Sequence, residues 1–170
     1  MQFPIEDVRA QFPALSTTDS GVQRIYFDAP GGTQICGAAI DRISEHLKKG
    51  TANDGGVFQS SRDTQELVEA AHAAMADLLG GHPDEIAFGA NMTTLTLSLS
   101  RALAQEWDAG DELVVTRLDH DANIAPWLLV ARDKGMTVRW LDFDPAPGRL
   151  ELDALPQLLG TKTRLVAGRP

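Results

Sequence analysis

Two early segments carry apolar residues at helical spacing. From Ile35 to Lys49 an apolar residue recurs every fourth position, and Gly50 follows as a stop signal. From Arg62 to Leu79 the apolar residues follow an i, i+4, i+7, i+8 pattern, which the pair Gly80-Gly81 closes. The pattern predicts two amphipathic helices. Residues 51–61 between them have no period and are rich in Gly, Asn, Asp and Ser, which predicts a loop.

Short runs of β-branched, aromatic and aliphatic residues predict strands elsewhere in the chain. These runs are residues 24–28, 85–88, 112–116, 137–143 and 163–167. Helices are predicted over residues 92–107, 124–134 and 153–159, the first with an inward face of Leu95, Leu99, Ala102 and Leu103. Strand and helix therefore alternate. That order predicts an α/β fold with a largely parallel sheet and flanking helices.

Composition narrows the class of protein and its partners. The 170 residues are 43% hydrophobic and 23% charged, as in a packed globular domain. Lys and Arg number 15 against 24 Asp and Glu, a net charge of −9 that disfavours nucleic acid and anionic membranes as partners. No apolar run reaches the ~20 residues that span a bilayer. A single cysteine, Cys36, and an acidic N-terminus predict a cytoplasmic protein with no secretion signal.

Two places have the residues for chemistry. The loop from Gly89 to Thr94 connects a predicted strand to a helix N-terminus, where free N–H groups bind anions; the alternative is that Thr93 or Thr94 only caps the helix. His120, flanked by Asp119 and Asp121, follows a predicted parallel strand, at the end where α/β proteins place ligands. The alternative there is a surface turn with a capping aspartate.

Metal binding and thiol chemistry are not predicted. The other three histidines, His46, His72 and His82, have no ligand-like spacing to one another, so we expect no metal. Cys36 lies near a predicted helix start without a basic residue close in sequence, which favours a structural thiol.

Four segments together resemble one known family. They are Tyr26 to Gly32 (YFDAPGG), Pro83 to Phe88 (PDEIAF), Gly110 to Thr116 (GDELVVT) and Asp119 to Trp127 (DHDANIAPW). In order and spacing they resemble the class V aminotransferases, which are fold-type I enzymes dependent on pyridoxal 5′-phosphate (PLP), and within them the cysteine-desulfurase-like branch. The sequence departs from that family at Asn91 to Thr94, where the phosphate loop usually differs, and at Asp121, where a second histidine is usual.

The resemblance implies roles for individual residues. The backbone N–H of Met92 and the Thr93 residue would hold the cofactor phosphate, and His120 would lie over the pyridine ring and move protons as the catalytic residue. Gly31 and Gly32 would line the substrate entrance.

The resemblance also implies a domain organisation. Residues 1–170 would be the N-terminal part of the large domain, with an N-terminal arm over about residues 1–30. The C-terminal domain and the Schiff-base lysine segment would be absent, because neither Lys134 nor Lys162 lies in the family's lysine context. Val114 and Val115 would then face missing partners.

The predicted function is a PLP-dependent enzyme that acts on an amino acid, truncated here and inactive alone, with a homodimer implied for the full-length family. The reaction is open among desulfuration, transamination, epimerisation and elimination. One alternative is a non-catalytic fragment or interaction module that pairs with a full-length homologue. A further alternative is an unrelated α/β phosphate-binding domain.

Overall fold

The computed structural model describes residues 3–168 as two compact units, one ending at Ile86 and the other beginning at Ala87. Four residues of the predicted arm and chain end lie outside the described residues: Met1, Gln2, Arg169 and Pro170.

The first unit is mainly helical. Its helices are α1 (Ile5–Arg9), α2 (Gly37–Lys49) and α3 (Gln59–Leu79), with 3₁₀ turns at Pro13–Ser16, Ala29–Gly31 and Pro83–Glu85. A small antiparallel hairpin joins β1 (Thr18–Asp19) to β2 (Val22–Gln23). The two helices predicted from periodicity are confirmed. The helix α3 begins three residues before the predicted start at Arg62.

The predicted loop between α2 and α3 is organised by one buried serine. Ser61 is 0% exposed. Its Oγ donates to the carbonyl oxygen of Asn53 at 2.6 Å and accepts from the N–H of Gly56 at 2.7 Å. The loop is therefore folded back on the first turn of α3.

Two predicted strands are absent from the described residues. Residues 24–28 and 86–88 have no strand pairing, and Glu85 belongs instead to the 3₁₀ turn Pro83–Glu85. His82 caps this turn: its Nδ1 accepts from the Asp84 N–H, and its own N–H donates to Glu85 Oε2 at 2.7 Å. A run of strand-forming residues becomes a strand only where a neighbour completes the ladder.

The second unit alternates strands and helices. In chain order it has α4 (Met92–Leu103), β3 (Glu112–Thr116), α5 (Ala125–Lys134), β4 (Thr137–Leu141), β5 (Phe143–Asp144), β6 (Arg149–Leu150), α6 (Leu155–Leu158) and β7 (Thr163–Ala167). Three 3₁₀ turns lie at Ala104–Glu106, Asp121–Asn123 and Leu152–Ala154. The predicted strand over residues 137–143 ends at Leu141, because the chain then turns into the antiparallel β5–β6 hairpin.

The sheet is parallel, as predicted, with β3 in the centre and the strand order β4-β3-β7. The core of the unit lies around β3 and α5. Its buried members are Ala104, Trp107, Leu113, Val115, Ile124, Trp127, Val130, Ala131 and Ala167. The expectation that Val114 and Val115 face missing partners is wrong: both are 0% exposed, since the central strand is paired on each side.

The predicted inward face of α4 is also wrong in part. Leu99 and Leu103 are 54% and 40% exposed and Ala102 is exposed too, whereas Leu95 is half-buried and Ser100 is 0% exposed. The helix lies against α5 and the turn Asp121–Asn123, and the side of α4 that is covered contains Ser100. A serine can lie there because its Oγ donates to the Leu97 carbonyl oxygen at 3.0 Å.

Two ion pairs connect the central strand to its neighbours at its N-terminal end. Arg139 of β4 forms two hydrogen bonds of 2.8 Å with the Glu112 carboxylate. Arg164 of β7 donates to Asp111 Oδ2 at 2.9 Å. These arginine hydrogen bonds hold the pKa of both carboxyls below their ordinary values, with the Asp108 N–H as a second cause at Asp111.

We expect these pairs to make the fold acid-sensitive. A carboxyl whose pKa is lower in the folded state stabilises that state above its unfolded pKa, and the stabilisation is lost as pH falls through the folded pKa. Urea midpoints should therefore decline once the pH passes below the ordinary values of 4.5 for Glu112 and 3.8 for Asp111. The double variant Asp111→Asn, Glu112→Gln should start lower and decline less. Asp41→Asn, at an exposed position, should follow the wild-type curve.

Candidate functional site

The first turn of α4 is a capped helix N-terminus. Asn91 has extended backbone, and its Oδ1 accepts from the N–H of Thr94 at 2.9 Å. Asn91, rather than Thr93 or Thr94, is therefore the cap. The N–H groups of Met92 and Thr93 lie in the first turn, where no intrahelical carbonyl is available to them, and both residues are exposed. The turn can bind an anion through these groups.

The loop before this turn depends on a glycine. A Cβ at Gly89 would lie 2.6 Å from Leu95 Cδ2 and 2.7 Å from Leu95 Cγ. The loop backbone therefore packs so closely on the Leu95 side chain that a Cβ at this position requires the side chain or the loop to move.

His120 lies in a turn directly beyond the C-terminal end of β3. The exposed imidazole folds back on its own turn, and its Nδ1 accepts from the Ala122 N–H at 3.1 Å. Since Nδ1 is the acceptor, the proton of the neutral ring is assigned to Nε2. The side chain therefore has a free N–H at Nε2, because the hydrogen bond within the turn involves only Nδ1.

A series of hydrogen bonds through Asp119, Asn123 and Trp127 stabilises the turn that holds His120. Asp119 Oδ1 accepts from the His120 N–H at 2.7 Å, and Asp119 Oδ2 accepts from Asn123 Nδ2 at 2.7 Å. Asn123 Oδ1 in turn accepts from Trp127 Nε1 at 3.5 Å. The three side chains are four residues apart, a helical spacing that sequence reasoning could have used but did not.

Both predicted chemical positions lie in the second unit. The helix α4, which begins with Met92 and Thr93, lies against the turn Asp121–Asn123 that follows His120. His120 lies beyond the carboxyl end of β3, where α/β sheets bind ligands, and Met92 and Thr93 lie at a helix start.

A cavity of about 390 Å³ opens at the same end of the sheet. It is lined by Thr116, Arg117, Asp119, Asp121, Ile124, Trp140 and Phe143. Arg117 lies 4.7 Å from the Trp140 ring centroid and pairs with Asp142 at 2.6 Å. The buried hydroxyl of Thr116 has no hydrogen-bond partner among the described residues.

Gly31 and Gly32 lie in the first unit. They line a separate cavity of about 490 Å³ with Tyr26, Asp28 and other residues of that unit. A Cβ at either glycine would meet no atom within 4 Å. The substrate role of Gly31 and Gly32 stays a prediction.

Cys36 is half-buried at the position that precedes the first residue of α2. Lys134 Nζ donates to the Trp107 carbonyl oxygen at 3.2 Å.

Across residues 3–168, no group of three or more His, Cys, Asp and Glu side chains could hold a metal ion. No helix in this part of the chain is both long and apolar enough to cross a membrane.

Known proteins share both the sequence and the fold. The family model described as Aminotransferase class-V matches residues 25–169. A cysteine desulfurase from Yersinia pestis is 33% identical over 170 residues, which cover 98% of this chain and 42% of the relative.

Solved structures agree with this match. The apo cysteine desulfurase from Thermococcus onnurineus superposes with a TM-score of 0.82 at 26% identity, over 98% of this chain and 40% of that one. A variant of C-DES with glycine covalently linked to its PLP cofactor gives a TM-score of 0.67 at 26% identity, over 93% of this chain and 39% of that one. The chain spans about 40% of the length of the curated relatives it matches.

Proposed function

Because the chain belongs to the class V aminotransferase family, with cysteine-desulfurase-like relatives, we propose that it forms the phosphate-binding and ring-binding part of a PLP-dependent enzyme that acts on an amino acid. The observation that carries this proposal is the N-terminal turn of α4, capped by Asn91, in the same unit as His120.

The first turn of α4 has the donors that a phosphate monoester requires. Two backbone N–H groups, at Met92 and Thr93, are left over from the helix, and the positive end of the helix dipole adds to their attraction. The exposed Thr93 hydroxyl supplies a third donor beside them. This local positive end offsets the repulsion that an anion meets from a chain of net charge −9.

His120 is suited to lie beside an aromatic ring and to move a proton. Its imidazole is exposed, so one face of the ring is free to stack on a flat cofactor. The Ala122 N–H occupies Nδ1, which leaves Nε2 as the nitrogen that gives or takes a proton. We therefore assign proton transfer to Nε2 of His120.

The cofactor, when bound, supplies an electron sink for bonds broken at the substrate α-carbon. The residues described above bind and orient it, and Gly31 and Gly32 are the proposed substrate entrance. The chain has no lysine in the family's Schiff-base context, so we propose that these 170 residues bind the cofactor without catalysing a reaction alone. The choice among desulfuration, transamination, epimerisation and elimination belongs to the whole protein.

Binding of pyridoxine 5′-phosphate tests the proposal. This ligand has no aldehyde, so it cannot react with surface lysines. Calorimetric titration should detect binding that inorganic phosphate competes and that unphosphorylated pyridoxine does not reproduce. Thr93→Val removes a hydrogen bond to a charged group and should weaken binding about 10-fold or more.

Ser98→Ala is the matched control, because Ser98 is also an exposed hydroxyl residue of α4 but lies beyond its first turn. Equal affinities for the wild type and Thr93→Val, or binding that phosphate does not compete, would contradict the proposed phosphate site.

We extend the proposal to the location and partners of the whole protein. We place it in the cytoplasm as a homodimer, without nucleic-acid or membrane partners. The alternative, an interaction module that pairs with a full-length homologue, is favoured by apolar exposure in the first unit, where Phe27 and Val57 are 93% and 89% exposed. Co-purification with such a homologue in the absence of pyridoxine 5′-phosphate binding would favour that alternative.

A further inference from the structure

The imidazole of His120 is oriented by hydrogen bonds that involve residues with no proposed contact to the cofactor. We propose that Asp119 is the positioning residue of His120: its carboxylate fixes the backbone of the turn so that the Ala122 N–H meets Nδ1 of the ring. This inference rests on the proposed function for its catalytic meaning, since it concerns how the proton-transfer group is oriented.

Asp119 is the only flanking carboxylate in the described hydrogen bonds of this turn. Its two oxygens are used differently: Oδ1 accepts from the His120 N–H and Oδ2 from the Asn123 side chain. One carboxylate thereby ties the first residue of the turn to the last. The turn is closed further by the Asn123 N–H, which donates to the His120 carbonyl oxygen at 2.8 Å.

The other end of this arrangement is anchored in the core. Asn123 contacts the indole N–H of Trp127, which is 4% exposed and packs against Trp107. The Asp119 carboxylate is therefore anchored, through Asn123, to a buried residue of the core. The half-buried Asp119 and Asn123 thus connect the exposed imidazole to a buried indole, which limits the orientations of the ring.

Asp121 provides a matched comparison. It carries the same charge at the same sequence distance from His120, but no described hydrogen bond joins its carboxylate to the turn. Removing Asp121 changes the charge beside the ring and leaves the hydrogen bonds of the turn in place. Comparing variants of Asp119 and Asp121 therefore separates an effect of negative charge beside the ring from an effect of the Asp119 hydrogen bonds.

The test is a through-hydrogen-bond nitrogen–nitrogen coupling between the Ala122 amide and His120 Nδ1, measured by NMR on the ¹⁵N-labelled 170-residue chain without cofactor. His120→Gln assigns the signal. We expect the coupling in the wild type and in Asp121→Ala, and its loss in Asp119→Ala. Asn123→Ala, which keeps the bond from the His120 N–H to Asp119, should reduce it at least two-fold.

Unchanged amide shifts for residues 113–116 of β3 show that a variant is folded. If Asp119→Ala does not fold, Asn123→Ala decides the question alone. The proposal is overturned if the coupling survives in the folded Asp119→Ala chain, if it is undiminished in the folded Asn123→Ala chain, or if Asp121→Ala loses it equally. Because no cofactor is present, this result is independent of whether pyridoxine 5′-phosphate binds.

Discussion

Trp127→Ala should lower the free energy of unfolding by about 3–5 kcal/mol, as expected when a large buried ring is deleted. The indole is 4% exposed, and its ring centroid lies 6.4 Å from that of Trp107 at an interplanar angle of 35°. Its removal leaves a cavity beside the central strand and also deprives Asn123 of a hydrogen-bond donor. Urea unfolding followed by far-ultraviolet circular dichroism measures the change without relying on tryptophan fluorescence.

Two further variants help to interpret the stability change of Trp127→Ala. Trp127→Phe keeps an aromatic ring and loses only the indole N–H and part of the volume, so it should cost less than Trp127→Ala. Arg132→Ala changes an exposed residue of the same helix and should shift stability by no more than about 0.5 kcal/mol. A loss in Trp127→Ala as small as that in Arg132→Ala would show that the indole is not part of the core.

Gly89→Ala should both destabilise the second unit and weaken binding of pyridoxine 5′-phosphate. The new methyl group would lie 2.6–2.7 Å from two carbons of Leu95, and one of these is Cγ, which cannot move by rotation of the side-chain end alone. Overpacking of this kind costs about 1–3 kcal/mol. The backbone must shift in response, and the nearest segment able to shift is the loop that holds Asn91 at the first turn of α4.

The double variant Gly89→Ala, Leu95→Ala distinguishes a clash from a need for glycine flexibility. If the clash is the cause, the smaller side chain at position 95 restores the phosphate affinity even though it leaves the fold less stable. Gly37→Ala is the control, because its Cβ would meet atoms only at ordinary contact distances of 3.6–3.9 Å. Failure of the double variant to recover affinity would contradict the steric explanation.

The fold was predictable where the local pattern and the final environment agree. The run Glu112–Thr116 is almost wholly apolar and became the central, fully covered strand. Residues 24–28 and 86–88 have a similar composition, but no strand of the described chain pairs with them. Strand formation depends on a partner that is distant in sequence, so local composition could not separate these cases.

Side-chain exposure was harder to predict than element type. The apolar periodicity of α4 predicts an inward face containing Leu99, yet the covered side of the helix contains Ser100. A helix rich in leucine and threonine offers more than one plausible face, and the neighbouring elements decide which one is buried. The exposure expected for Val114 and Val115 had a different origin: it followed from the strands that the family resemblance places outside this chain, whereas the elements present already bury both residues.

At the site, the resemblance supplied the cofactor and the residues Met92, Thr93 and His120, whose proposed roles await the titration. What it did not supply is how those residues are held. The Asn91 cap and the Asp119–Asn123–Trp127 hydrogen bonds depend on side-chain rotamers, and these become visible only in three dimensions. The i, i+4 spacing of Asp119, Asn123 and Trp127 in the sequence was a signal from which their hydrogen bonds could have been predicted.

The position of β3 between two later strands has a consequence for synthesis on the ribosome. Both of its partners, β4 and β7, follow it in the chain, and β7 ends at Ala167. Leu113 and Val115 therefore leave the ribosome before the strands that cover them. At translation rates of about 5–20 residues per second, the roughly 50 residues from β3 to the end of β7 take about 3–10 s. During that interval we expect part of this apolar strand to stay uncovered, and transiently exposed apolar surface of this kind is prone to aggregate.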